Sequence, residues 1–204
     1  MVSKKIINEY KCDPTIKINI KNSSFYLSPM TDLDFSNEVS ISLLSEWRKA
    51  SEHAFLKVFE VTNSGTQRWL KHGVIENKER LMFWVVDGKG TKVGHIGVSS
   101  FNYDECSCEV DNVIKSSDCN EKGLFTLVTE SLIDWLNNNL NPKKIKLRVF
   151  SENIKAISLY KRVGFKPVDI ITFKKVNGSD YVEWVESNVD IDRCFLTMEK
   201  FNDK

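Results

Sequence analysis

The chain has little of what marks a membrane or secreted protein. No stretch approaches the ~18 consecutive apolar residues that a bilayer-spanning helix needs. The segment after Met1-Val-Ser-Lys-Lys alternates polar and apolar residues and contains no apolar run of signal-peptide length. The expected location is therefore the cytoplasm. Charge of one sign is equally scarce: 29 basic and 28 acidic residues leave a formal net charge of +1. That balance gives no electrostatic footprint for a nucleic-acid binder or a membrane-surface protein. The five cysteines, Cys12, Cys106, Cys108, Cys119 and Cys194, are odd in number and lack framework spacing. They fit reduced thiols better than a disulfide scaffold. His53, His72 and His95 are scattered, and Cys106-Ser-Cys108 lacks a second ligand pair, so no metal site is expected.

No internal repeat, low-complexity run or linker divides the sequence, so residues 1–204 are expected to form a single domain. A hydrophobic content of 41%, with 11% aromatics, is ample for a packed core.

Weak alternation at Ile18, Ile20, Phe25 and Leu27 predicts an opening strand or hairpin around an Asn22-Ser-Ser24 turn. Ser36 reads as the N-cap of a helix burying Val39, Leu43, Leu44 and Trp47. Asn63-Ser-Gly65-Thr66 reads as a turn and cap before a short helix. The apolar run Leu81–Val86, the turn Asp87-Gly88-Lys-Gly90 and the return Val93–Phe101 form a hairpin, extended by a strand over 106–115.

Leu124, Val128, Leu132, Trp135, Leu136 and Leu140 lie on one stripe of a helix spanning about 122–140. Strict alternation in Lys144–Val149 predicts a half-buried strand. Strand, helix, strand, helix over 107–163 then implies a right-handed crossover and one locally parallel pair. Two final strands are expected at 165–176 and 194–201. The segment 176–193 between them reads as a long connection that starts at the Asn177-Gly178 turn.

The order from Glu109 to Phe165 resembles the core of the GNAT superfamily, which moves acyl groups from coenzyme A to amines. Its most specific part is Asn153, Ala156, Leu159, Tyr160, Gly164 and Phe165, which match an Asn-x-x-Ala-x-x-Leu-Tyr-x-x-x-Gly-Phe pattern. The resemblance implies an α+β (mixed α/β) GNAT-like fold. That fold has a mostly antiparallel, partly parallel twisted sheet of about seven strands, flanked by about four helices. It also implies acyl-CoA, acetyl or longer, as co-substrate.

Such a transfer needs donors for the pyrophosphate, polarisation of the thioester carbonyl, a base for the ammonium and an acid for the departing thiolate. The loop 115–125 enters a helix, whose N-terminus is a natural anion site. Gly123 permits close backbone approach, and Lys115 and Lys122 add charge. In the family this loop reads Arg/Gln-x-x-Gly-x-Gly/Ala. Here Asn120-Glu-Lys-Gly123-Leu124-Phe125 keeps only the central glycine. The resemblance also implies a bulge that turns backbone donors of Val113, Ile114 and Lys115 toward the pantetheine and acyl carbonyl.

Glu109 and Asp111, two apart on one strand face, are the candidate bases. Each equally suits a solvent-facing or ion-paired carboxylate. His95, between Gly94 and Gly97, reads as a structural or substrate-contacting histidine. The resemblance places Asn153 on the pantetheine arm and Tyr160 beside the sulfur. A phenol, with ordinary pKa ~10, can donate to a thiolate whose acid lies near ~8.5. The plainer alternative is an amphipathic helix with a half-buried Tyr and a Gly C-cap.

The acceptor site must come from the less patterned segments. Trp47, Arg48, His95, Tyr181 and Trp184 are its candidates. Ser-Glu-Trp47-Arg48, Thr66-Gln-Arg-Trp69-Leu, Gly94-His-Ile-Gly97 and Glu109-Val-Asp111-Asn112-Val-Ile114 are similar to bacterial GNAT enzymes that acylate nucleotide-linked amino-deoxysugars for surface-polysaccharide assembly. A protein N-terminus or lysine, another small amine, and a non-catalytic acyl-CoA sensor remain alternatives. Exposed terminal strands leave a homodimer open.

Overall fold

In the computed structural model, residues 2–102 and 104–202 are described. Ten strands form one sheet in the order β1-β2-β4-β5-β6-β7-β10-β8-β9-β3. They span β1 Ile18–Asn19, β2 Tyr26–Pro29, β3 Lys57–Phe59, β4 Arg80–Val86, β5 Lys92–Asn102 and β6 Ser107–Lys115, then β7 Lys144–Phe150, β8 Lys166–Asn177, β9 Tyr181–Glu186 and β10 Arg193–Phe201. Among the described residues only β6 and β7 run parallel; every other neighbouring pair is antiparallel. The helices are α1 Val2–Cys12, α2 Asp32–Phe35, α3 Glu38–Ala50, α4 Asn63–Trp69, α5 Leu124–Asn139 and α6 Ile154–Arg162. A π-helical segment, Leu70–Ile75, continues α4.

The mixed architecture expected from the resemblance is present, with more strands and helices than expected. The run at β4 is continuously apolar because both of its faces are covered. Leu81, Phe83 and Val85 enter the core under α5 and α6. Met82, Trp84 and Val86 enter a second core with α3 and the segment after α4. In α5, Val128, Leu132 and Leu136 are fully buried, each stabilising the fold by roughly 2 kcal/mol.

Several boundaries differ for local reasons. Helix α3 is capped by Asn37, whose side chain accepts from the Ser40 amide at 2.9 Å. Ser36 instead closes the short α2. Val39 points outward at 69% exposure, while Leu44 and Trp47 are buried. Thr62, not Asn63, caps α4 by accepting from the Gly65 amide.

The N-terminal segment, to which the sequence pattern assigned no element, is a helix, and its Tyr10 packs edge-on to Phe83 and Trp135. The expected long connection over 176–193 contains β9, a hairpin partner of β8 that in turn pairs with β3. Strand β3 lies between α3 and α4 in sequence, yet it completes the opposite edge of the sheet.

Candidate active site

Strands β6 and β7 are ladder partners only over Ser107–Glu109 and Lys144–Lys146. Beyond these residues β6 continues to Lys115 on β5, and β7 continues to Phe150 on β10, without pairing to each other, so the sheet opens at its middle. A bulge accompanies the opening. His95 faces Ile114 and Gly97 faces Asp111, which leaves Asn112 and Val113 opposite Ile96 alone. Asn112 takes a left-handed φ of 50° to make the turn. A cavity of about 570 Å³ fills the opening. Val113, Ile114, Val149, Asn153, Ala156 and Tyr160 form one wall; Arg48, Phe55, Phe59 and Trp69 form the other.

Two helix starts frame this opening. At α6, the Asn153 side chain is occupied as N-cap, accepting from the Ala156 amide at 3.2 Å. At α5, Gly123 is the N-cap with φ 77°, a conformation that favours glycine. A Cβ on Gly123 would meet nothing within 4 Å, so the helix start is open to a ligand. These features fit a pantetheine arm between the strands and a pyrophosphate at the α5 start.

Leu124 and Phe125, by contrast, have buried side chains and offer only backbone to such a ligand. The Phe125 ring explains Gly94, because a Cβ at 94 would collide with that ring and with the Ile114 carbonyl. Lys115 donates to the Glu121 carbonyl at 3.2 Å, pinning the loop.

The charged floor follows from strand register. Arg80 faces Ser99, Ser99 faces Glu109, and Glu109 faces Lys146, so one polar row crosses four strands. Diagonal neighbours on this face reach one another. Arg148 grips Glu109 through Nε at 2.8 Å and Nη2 at 3.2 Å. Arg80 Nη2 donates to Asp111 Oδ2 at 2.8 Å, and the Ser99 hydroxyl donates to the same oxygen at 2.9 Å. Each carboxylate therefore has its own guanidinium, the ion-paired alternative that the sequence left open for both. Asp111 Oδ1 is buried without a partner and packs over Gly97, where a Cβ would lie 2.7 Å away.

His95 is buried beneath this floor, with its Nδ1 2.7 Å from the Asn112 carbonyl. Burial depresses its pKa from 6.5 to about 4, partly offset by that carbonyl. The ring is neutral at pH 7, and the carbonyl can only accept, so Nδ1 carries the proton and Nε2 is an acceptor. Tyr160 is 8% exposed. Burial raises its pKa, which keeps the phenol protonated.

The acetyltransferase (GNAT) domain family model matches residues 25–166, most of the chain and all of the cavity's central strands. The chain belongs to the GNAT acetyltransferase family. GNAT enzymes draw their acetyl group from acetyl-CoA, which agrees with the acyl-CoA co-substrate expected from the resemblance.

The chain is also 34% identical over 59 residues to the uncharacterized N-acetyltransferase YobR of Bacillus subtilis (strain 168). That match spans 29% of this chain and 24% of the Bacillus protein. Among solved structures, the chain is similar to the Vibrio cholerae spermidine N-acetyltransferase in complex with CoA and spermine. The TM-score is 0.69 at 20% identity, with 90% of this chain and 98% of the other covered. A dodecameric form of that Vibrio enzyme gives a TM-score of 0.64 at 18% identity, covering 88% and 95%. At these identities the likeness is one of fold.

Of the residues singled out from sequence, Arg48, His95, Glu109, Asp111, Val113, Ile114, Asn153, Ala156 and Tyr160 line the GNAT cavity. Lys115, Asn120, Lys122, Gly123, Leu124 and Phe125 lie outside that lining, in the loop and at the start of α5. Trp47 sits behind it, with its ring 5.9 Å from His95. Tyr181 and Trp184 are not part of the lining. Tyr181 borders a shallow depression with Gly178 and Val58. Trp184 packs on Phe150 and under Arg193. The hairpin explains both, because β9 carries these rings within the sheet, between β8 and β3, instead of draping them over the cavity.

Sequence reasoning passed over Arg80, Arg148, Phe55 and Phe59. The alternation of Lys144–Val149 had marked Arg148's polar face. Arg80 and the two phenylalanines carry no local signal, because only the sheet register and the β3 edge bring them in.

Proposed function

We propose that this protein transfers an acetyl or larger acyl group from coenzyme A directly to the primary amine of a small molecule. The finer reading takes that molecule to be a nucleotide-linked amino-deoxysugar used in surface-polysaccharide assembly. The observation that carries the transfer is the parting of β6 from β7 with the Tyr160 phenol in the opening. Its thioester would lie along the bulge at Asn112–Val113, where backbone freed from the ladder can polarise the carbonyl.

Glu109, directly or through a water, takes a proton from the ammonium, and Asp111 holds Arg80 in place. The amine nitrogen then bonds to the carbonyl carbon and the carbon–sulfur bond breaks. Tyr160 gives its proton to the departing thiolate and recovers one from the nitrogen as the amide forms. No cysteine relay is invoked. Cys108 is buried outside the cavity lining, with its thiol pushed up to about 12 by burial.

Aromatic rings at Phe55, Phe59 and Trp69 beside arginines suit a sugar or base carrying phosphates. Likeness of fold to spermidine N-acetyltransferases favours a second reading, a polyamine acceptor. The floor speaks against it, since both carboxylates are already matched by arginine and a polycation would meet few free acids.

The deciding experiment follows thiol release from acetyl-CoA against free amino sugars, a nucleotide-linked amino sugar, spermidine and peptides. The reading expects the nucleotide-linked amine to give the highest kcat/KM. Preference for spermidine would replace the acceptor, and no release with any amine would remove the transferase reading.

A further inference from the structure

The cavity's charges do not balance. Three guanidiniums line it, from Arg48, Arg80 and Arg148, but only two carboxylates, Asp111 and Glu109. The carboxylates are consumed by Arg80 and Arg148. Arg48 forms no ion pair with another described residue. Glu52 acts on it only as a more distant charge. Burial is the main influence on this group and depresses its pKa from 12.5 to about 10.

The side chain is nonetheless held in place. Its guanidinium carbon lies 3.4 Å from the centroid of the Phe55 ring, and Nη2 donates to the Lys57 carbonyl at 2.7 Å. Nη1 is buried with no acceptor among the described residues. Stacking on Phe55 occupies the face of the guanidinium, whereas its N–H groups lie in the plane, so the ring leaves the Nη1 donors unsatisfied. A buried, unpaired donor on a cation is costly to keep. It is also pre-organised, because its partners fix its orientation before any ligand arrives.

We infer that Arg48 is the anion-reading residue of the acceptor half, and that the native acceptor joins its primary amine to a phosphate or carboxylate. The guanidinium fork matches either oxyanion. This rests on the transferase reading above and narrows its substrate class to amines with a built-in negative group. It disfavours polyamines as native substrates, since each brings further positive charge to a cavity already one cation in excess.

The test compares matched acceptors in the thiol-release assay. One arm sets glucosamine 6-phosphate and a UDP-linked amino sugar against free glucosamine. The other sets β-alanine against its neutral amide, so the two arms separate phosphate from carboxylate. The expected result is a preference for the anionic member of one arm, lost by about tenfold to hundredfold in Arg48→Gln as a ratio of kcat/KM values. Arg48→Lys keeps the charge without the planar fork and should fall between.

Calorimetric binding of coenzyme A reports whether each variant is folded. Equal use of neutral and anionic amines, or an unchanged ratio in Arg48→Gln, overturns the inference while leaving the transferase intact. If no amine is acylated, the transferase reading fails separately and binding of UDP to the coenzyme A complex decides. UDP affinity that drops in Arg48→Gln supports the anion subsite, and equal affinity overturns it.

Discussion

The two walls of the cavity are built on different physical terms. The wall formed by β6, β7 and α6 depends on backbone: an unpaired stretch between parallel strands, a bulge at Asn112 and a capped helix start. The wall formed by α3, β3 and α4 depends on side chains, with Arg48 and aromatic rings delivered from separate segments. Backbone geometry suits a ligand common to a whole family, while exchangeable side chains suit a ligand that changes from member to member.

Altering single residues on each wall sharpens the contrast. The largest effect is expected at Tyr160. Tyr160→Phe should lower kcat by about a hundredfold or more, with the KM for acetyl-CoA nearly unchanged, because the lost group acts when the thiolate leaves. An unaltered kcat would confine that phenol to packing.

His95 gives the next effect, seen in stability. Its folded pKa of about 4 lies below its ordinary 6.5, so the unfolded chain binds the proton first as pH falls. The stability that depends on its neutral state is complete above pH 6.5 and is lost on acidification toward 4, to the extent of about 3 kcal/mol. Denaturant unfolding of the wild type and His95→Gln at pH 7 and pH 4.5 checks it. The variant should lose less on acidification.

Gly94→Ala should cost about 2 kcal/mol in urea unfolding, since the new methyl group meets backbone as well as the Phe125 ring. Adding Phe125→Leu should restore only part of that loss, because the Ile114 carbonyl remains. The smallest change belongs to Gly123→Ala, about 1 kcal/mol from the left-handed φ. Its surroundings are open, so a shift in melting temperature without a packing defect is expected.

The same division governs what sequence reveals. Periodicity and turn chemistry located β4, β5, β6, α5, β7 and α6, because each carries a local pattern of burial or a cap. The parallel pair followed from segment order alone. The motif from Asn153 to Phe165 brought Tyr160 to the cavity because α6 is short and its cap and C-terminal glycine sit within one local stretch. Pairing between distant segments was hidden. Arg80 meets Asp111 through strand register, and Arg48 rests on Phe55 because β3 docks on β9. The sequence from 181 to 186 carries mixed polar and apolar residues that suited a loop as well as a strand. Its partner, β3, is only three residues long.

That short edge strand has a consequence for synthesis. The Trp184 amide donates to the Leu56 carbonyl at 2.8 Å, and Arg193 Nη2 donates to the His53 carbonyl at 2.9 Å. Residues 57–59 leave the ribosome early, with Arg48 and the α3 core already beside them, but have no strand partner until residues 181–183 emerge. The strand that carries Phe59 to the cavity is therefore locked into the sheet late. A nascent chain that has not reached residue 181 also lacks β10, which joins β7 to β8, so β8 and β3 both wait on residues 181–201 for their places in the sheet.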